Sequence, residues 1–314
     1  MQAISPESPE ERAKRSRWDR SLDRLRPGAR TFEVAKRVAV GVYSDGFIHA
    51  GNLAYLALVS LFPFFIVIAA LAHLLGRSTD VSMAIESFLR ALPKSVAELV
   101  RQPIADVLAQ RTGSLLWLGG LVGLWTTGSF IETIRDILRR AYGVRYSKAF
   151  WHYRLSSAAL IVGAVMLTLV AFSVQLLLTG AEQVVLHLFP VASGLLSWIG
   201  WSRLAPLVAL FVALYLIFYS LTPAKYRRTR CRKWPGAAFT AGWWVTTTMA
   251  LPWVLGKLGG YGRTYGSLAG VIVALFFFWI VGFGLVIGAQ LNAALAETPD
   301  GGVREPLEGV IAEE

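Results

Sequence analysis

Charge is what this sequence has least of. Asp, Glu, Lys and Arg make up 16% of its 314 residues, against roughly 25% in ordinary soluble domains. With 55% of the chain hydrophobic, a soluble globule of this size would have little with which to cover its surface. The soluble class is therefore not the default, and membrane is. Cysteine is nearly absent: Cys231 stands alone, which excludes an intramolecular disulfide framework. Beside Arg230 and Arg232 its thiol is a bystander or a mildly activated nucleophile. The four histidines, His49, His73, His152 and His187, are scattered without helical ligand spacing, so no metal is expected. No GxxxxGK[ST] phosphate loop occurs, which argues against ATP hydrolysis by this chain, and no cofactor is expected. No secretory signal is expected either, since the first apolar run starts near residue 48 and is too long for one.

What the chain does have is long runs without charge. Seven reach 20 residues or more: Ala50–Gly76, Thr112–Ile131, Leu155–Ala181, Gln183–Ser202, Leu204–Ala224, Trp234–Gly256 and Thr264–Ala296. A bilayer-spanning helix needs about 20 apolar residues. Gln183–Ser202 is broken by Pro190 and Ser193-Gly194 and holds His187, which reads as an interfacial or re-entrant stretch. Six spans remain, at about 50–76, 112–131, 155–180, 204–222, 234–256 and 265–295. With both termini in the cytoplasm this layout puts 23 Lys and Arg inside and 8 outside, as the positive-inside rule requires. A seventh span would turn the linker PAKYRRTRCRK outward. The expected fold is therefore all-α: a polytopic membrane helix bundle of six transmembrane helices with short amphipathic interfacial helices.

The organisation follows. Residues 1–47 form a basic cytoplasmic tail, either disordered or lying on the anionic inner leaflet. Residues 31–46 form a second short amphipathic helix, with Phe32, Ala35, Val38 and Val42 on one stripe, and Ser44-Asp45-Gly46 turns the chain into the first span. Residues 48–296 are the membrane domain. Its outer loop 77–111 carries two amphipathic helices split at Leu92-Pro93, with a kink expected at Pro103, and caps the outer mouth of the bundle or lies on the membrane. Residues 297–314 form an acidic cytoplasmic tail.

Polar groups inside the spans are the candidate functional residues. On a helical wheel Asn52, Tyr55, Ser60 and Pro63 share one face of the first span, opposite Leu58, Leu61, Phe65 and Ile68. The polar face is expected to look onto protein or a wet cavity, as interhelical glue worth roughly 0.6–2 kcal/mol per bond or as a substrate lining. Thr126 and Ser129 in the second span, and Tyr265, Gln290 and Asn292 in the sixth, are its candidate partners. Glu132, Arg135, Asp136 and Arg139 lie on one side of the second helix as it leaves the membrane, suited to i,i+3 and i,i+4 pairing. They form a solvated, self-paired end, a gate or a docking surface. Gly266, Gly270, Ala274, Gly284, Gly288 and Asn292 make a small-residue stripe for close packing, within the bundle or between subunits. Lys225, Arg227, Arg228, Arg230, Arg232 and Lys233 are candidates for contact with anionic head groups on the cytoplasmic side.

Four stretches, in order, carry a resemblance: NLAYLALVSLFPFF, LWTTGSFIETIRDILRRAYGV, YSLTPAKYRRTRCRKWPGAAFTAGWWV and YGRTYGSLAGVIVALFFFWIVGFGLVIGAQLNAAL. Together they resemble the YihY/BrkB family of bacterial inner-membrane proteins. The resemblance implies six spans and an inner-membrane location. The roles proposed for relatives are lipid or lipopolysaccharide handling and small-solute transport. The family's ribonuclease label is generally regarded as a misassignment. Where many relatives are expected to read GAELNA, this chain has Gln290, which hydrogen-bonds but carries no proton as Glu does.

The sequence is compatible with three functions to different degrees. A transporter or lipid-handling protein without its own ATPase fits the polar stripe and the long sixth helix. A non-transporting envelope scaffold, pairing with itself or with another envelope protein, fits the close-packing stripe. A ribonuclease would need clustered acids or histidines. Glu132 and Asp136 have arginines beside them instead, so neither enzyme activity nor a nucleic-acid partner is expected.

Overall fold

The computed structural model describes residues 4–14, 29–74, 85–86, 89–90, 92–109, 114–144, 151–163, 166, 205–227, 231–257 and 269–297. Among these residues the chain is helical, without strands. The helices are α1 (Pro9–Lys14), α2 (Ala29–Leu74), α3 (Lys94–Ala109), α4 (Ser114–Tyr142), α5 over residues 151–163, α6 (Ala205–Leu221), α7 (Ala224–Arg227), α8 (Trp234–Lys257) and α9 (Ala269–Leu295).

Helix α2 has 46 residues and so runs about 69 Å at 1.5 Å per residue, more than twice a bilayer's roughly 30 Å of hydrocarbon. The expected turn at Ser44-Asp45-Gly46 is absent, because these residues lie inside α2. Two contacts explain the continuity. Ser44 Oγ donates to the Gly41 carbonyl at 3.0 Å, which satisfies the hydroxyl within the helix. At Gly46 an added Cβ would stand 2.9 Å from Val42 Cγ1 and 3.5 Å from Val286 Cγ1 of α9. The glycine there serves close packing rather than a bend.

Helix α4 closes at Gly143, whose φ is +77°. The Val144 amide bonds to the Arg139 carbonyl at 3.0 Å and the Gly143 amide to the Arg140 carbonyl at 3.2 Å. This is the Schellman arrangement, in which glycine adopts the left-handed conformation without a Cβ penalty. Helix α3 starts after Pro93, whose carbonyl accepts from both Val96 and Ala97 at 2.9 Å, and it runs unbroken through Pro103. Its buried Val96, Val100 and Ile104, with Leu89 and Leu92, pack against Leu61 and Phe65 of α2 and Phe277 of α9. Helix α3 therefore packs onto α2 and α9, and the rest of the loop 77–111 lies largely outside the described residues.

Helix α9 is the centre. It packs against α2, α4 and α8, and most of its residues from Val273 to Ala294 are buried. Among the described residues it is the one helix long and apolar enough to cross a membrane; Gly46–Leu61 and Leu207–Leu221 are shorter apolar stretches. Its glycines let two neighbours approach to backbone distance. Toward α2, a Cβ on Gly282 would lie 3.2 Å from Leu53 Cβ and 3.3 Å from the Ala50 carbonyl. Toward α8, a Cβ on Gly284 would overlap Trp243, and one on Gly288 would overlap Thr240 Oγ1. A Cβ on Gly236 of α8 would overlap the Gly288 carbonyl. Side chains then bolt the seam: Thr240 Oγ1 lies 3.3 Å from the Gly284 carbonyl and Trp243 Nε1 donates to Ile280 at 2.8 Å. Gly284, Gly288 and Asn292 of the small-residue stripe thus pack within the bundle, while Gly266 lies outside the described residues.

Gly288→Leu should overfill this seam, a change that costs about 1–3 kcal/mol in a packed core. We expect a melting temperature about 5 °C lower or more in detergent. Gly242→Leu, on α8 with nothing within 4 Å of an added Cβ, should leave it unchanged. Equal melting curves for the two variants would refute the seam.

Candidate functional site

The register of α2 on α9 decides what α2 shows to the outside. Gly41 meets Gln290, Gly46 meets Val286, and Leu53 meets Gly282, so the two helices run antiparallel. That seats Ala50, Leu53, Ala54, Leu61 and Phe65 against the bundle, all of them buried. Among the described residues the opposite side is left open. Ile48 is 74% exposed and Tyr55 59%; Asn52 is exposed between them, and Gly51 has nothing within 4 Å of an added Cβ.

This reverses the helical-wheel expectation. Leu61 and Phe65 face protein, whereas Asn52 and Tyr55 face away from it. A wheel gives relative angles but not the side on which the partner stands, and α9 offers α2 an apolar, glycine-notched surface rather than polar groups. Of the described stripe residues Ser60 turns inward; it is buried and its Oγ bonds to the Ala57 carbonyl at 3.4 Å. Pro63 lies within α2, and its side chain is outside the described residues, as is Ile68's.

An aromatic shelf lies on the flank where α2 meets α9. Phe47 of α2 sits 5.0 Å from Phe283 and 6.1 Å from Trp279, between ring centroids. Along α9, Trp279 stacks on Phe283 at 5.6 Å and on Phe276 at 6.2 Å. Phe47 and Phe276 are about half exposed. Together these rings form a partly exposed aromatic strip, a surface suited to the apolar part of an amphiphile.

The structure does not gather the candidate partners around Asn52. Gln290 is buried and donates from Nε2 to the Gly41 carbonyl at 3.3 Å. Asn292 is buried and clamps the start of α8: its Oδ1 accepts from the Gly236 amide at 2.8 Å and its Nδ2 donates to the Lys233 carbonyl at 3.0 Å. An amide of this kind satisfies an otherwise orphaned helix-terminal N–H. Thr126 Oγ1 bonds within its own helix, to the Gly123 carbonyl at 3.0 Å. Ser129 Oγ lies 3.2 Å from both terminal nitrogens of Arg154. Tyr265 lies outside the described residues.

The charged end of α4 is a joint between helices, not a solvated end. Arg135 and Arg139 are buried. Arg135 donates to the Tyr153 carbonyl at 3.2 Å and to Ser156 Oγ at 3.0 Å, and Arg139 lies over the Tyr153 ring at 4.2 Å. Glu132 pairs with Arg154 of α5 at 2.9 Å, and Asp136 with Arg140 at 2.8 Å. Arg154 also stacks on Trp125 at 3.9 Å. The sequence missed these longer-range pairs because Arg154 is 22 residues from Glu132.

The basic linker is split in use. Lys225, Arg227 and Arg232 are exposed, although Lys225 pairs with Glu10 at 3.1 Å. Lys233 is buried and caps the Arg227 carbonyl at 3.0 Å, and burial holds its pKa below the ordinary lysine value. It is therefore withdrawn from head groups. Arg228 and Arg230 lie outside the described residues.

The chief surprise is the N-terminal segment, expected as a tail and found docked. The Ser5 amide bonds to the Arg140 carbonyl at 3.3 Å. Arg12 donates to the Ala293 and Ala296 carbonyls at 3.0 and 2.8 Å, closing the end of α9 as basic side chains do at helix C-termini. Tyr226 donates to Glu10 at 2.6 Å and stacks on Tyr142 at 4.9 Å. Burial pushes both phenols well above their ordinary pKa, with the Glu10 bond adding to the rise at Tyr226. A signal was present in the sequence. Ser8-Pro9-Glu10-Glu11 is a capping serine, a first-turn proline and two first-turn acids, and the Glu11 amide bonds to Ser8 Oγ at 3.4 Å.

Comparison with known proteins agrees with this picture of an apolar helical chain. It is similar to the putative ribonuclease-like protein YfkH of Bacillus subtilis (strain 168), 31% identical over 255 residues, covering 80% of this chain and 90% of that protein. No solved structure matches. The family described as virulence factor BrkB matches residues 43–308, taking in α2, α4, α8, α9 and the seam between them: the chain belongs to the BrkB family and is a membrane-associated protein of that type.

Proposed function

We propose that this protein crosses the bacterial inner membrane six times, with both ends in the cytoplasm, and handles a lipid-like amphiphile on the outward face of α2. The observation that carries the reading is the exposure of Asn52 and Tyr55 on a helix whose other side is sealed against α9. An amide left bare in hydrocarbon is costly, because no water is there to satisfy it. The polar part of a bound amphiphile meets that need, while its apolar part lies on the shelf of Phe47, Trp279 and Phe283. Such a site opens sideways to the bilayer and needs no aqueous pore. A central, buried, membrane-length α9 supports the polytopic bundle, and the bias of Lys and Arg supports its orientation.

A second reading is a scaffold, in which a partner's helix covers the same exposed face. The ribonuclease-like name belongs to the Bacillus relative. In this chain Glu132 and Asp136 are each held by an arginine, an arrangement that favours a structural role for both.

Flux decides between the readings. Purified protein in liposomes should speed leaflet-to-leaflet transfer of a fluorescent phospholipid about tenfold or more over protein-free vesicles. Asn52→Leu and Tyr55→Phe should remove most of that gain at unchanged yield and melting temperature, since each deletes an interaction worth about 1–2 kcal/mol. Wild-type rates in both variants would sink the lipid site. A protein partner that co-purifies only when Asn52 is present would favour the scaffold.

Orientation has its own check. Half-buried Cys231 should react with a membrane-impermeant maleimide in inside-out vesicles and stay unlabelled in intact cells. The opposite pattern would turn the bundle over.

A further inference from the structure

Residues 5–14 lie across one end of the bundle, and their contacts reach α4, α7 and α9. Ser5 reaches α4 at Arg140. Glu10 reaches α7 through Tyr226 and Lys225. Arg12 reaches the last carbonyls of α9 at Ala293 and Ala296. Beneath the segment lies a small polar cavity of about 10 Å³, lined among others by Ser5, Gly41, Ser44, His49, Arg140 and Gln290. That is close to the least volume that holds one water. Ser5 Oγ is buried at this cavity without a hydrogen-bond partner among the described residues.

The way the segment is held differs from the way the helices are held. Its buried described residues are Ser5, Ser8 and Pro9; no large apolar side chain anchors it. Polar and charge-assisted bonds do that work, and elements attached in this way open at lower free energy than a packed core. Arg12 is a strained member of the set: burial, and then repulsion from Arg37 of α2, lower its pKa to about 10.

We propose that residues 5–14 form a strap that closes the polar cavity from the cytoplasm. With the strap in place, Ser5 is the lid over Gln290 and His49. When the bonds of Arg12 and Glu10 release, water enters between α2, α4 and α9 and reaches the buried Gln290. The closure stands on the contacts above. Only its purpose, wetting the seam behind the exposed α2 face while a head group is held there, rests on the lipid reading.

The test uses the full chain in nanodiscs, with Cys231→Ser as background and Gln290→Cys as reporter. If that reporter is poorly folded, His49→Cys replaces it. A charged maleimide should label the reporter slowly when the strap is intact. Arg12→Ala or Glu10→Gln should raise the rate about tenfold or more, the loss expected for a charge-assisted hydrogen bond. Arg12→Lys should restore the slow rate in part. Leu138→Cys, fully buried in the helix core, should stay unreactive throughout. An unchanged reporter rate overturns the strap. So does a rise at Leu138→Cys in parallel, because the segment is then a part of the fold and not a closure. Lipid transfer is not read in this assay, so an inert α2 face leaves the outcome untouched.

Discussion

The structure depends on backbone-to-backbone approach along α9. Gly282 admits α2 on one side, while Gly284 and Gly288 admit α8 on another, where Gly236 answers with a notch of its own. Hydrocarbon tails are as apolar as leucine, so a hydrophobic driving force between spanning helices is weak and close packing must supply the attraction. Where a Cβ would overlap the facing helix, only glycine lets the carbonyl of one helix reach the side chains of the next. Thr240 and Trp243 use that proximity to bond to α9 carbonyls. Every other contact of the central helix is arranged around these two fixed seams.

The same seams explain where the polar residues go. Gln290 and Asn292 stand out in a nearly charge-free helix, and a sequence reader assigns them to chemistry. Both instead hold backbone groups of neighbouring helices, at Gly41 in α2 and at Lys233 and Gly236 in α8. Their position beside glycines is what makes this geometry reachable. Asn52 and Tyr55 have the opposite setting, on a face that no described helix seals. Buried polar groups that bond to backbone read as structure, and exposed ones in the apolar layer read as contacts with something else.

Much of the fold was legible because it follows from apolar run length. The runs at 204–222, 234–256 and 265–295 match α6, α8 and the greater part of α9 closely. The amphipathic period in loop 77–111 gave α3 and its buried Val96, Val100 and Ile104. What failed was orientation and long-range pairing. The wheel could not say that α9 would take the Leu61 side of α2 rather than the Asn52 side. Ser44-Asp45-Gly46 looked like a turn because serine and glycine carry turn chemistry, yet here the glycine is buried inside a continuous helix, close to Val42 of its own preceding turn. Docking of Ser5–Lys14 was invisible for another reason: Arg12 meets Ala293 across 281 positions of sequence, and no local pattern encodes such a pair.

Arginine has two distinct uses in this chain, and they bear on how its basic character should be understood. Arg135 and Arg139 of α4 and Arg154 of α5 use their charge at the joint between these two helices, through carbonyl, hydroxyl, aromatic and carboxylate contacts. A planar guanidinium with five donors can satisfy several acceptors while stacking on a ring, which a lysine cannot do. Buried or half-buried in that way, these charges are unavailable to head groups. Among the described residues, Arg232 is an exposed basic side chain of the linker, beside the helix ends that the N-terminal segment covers.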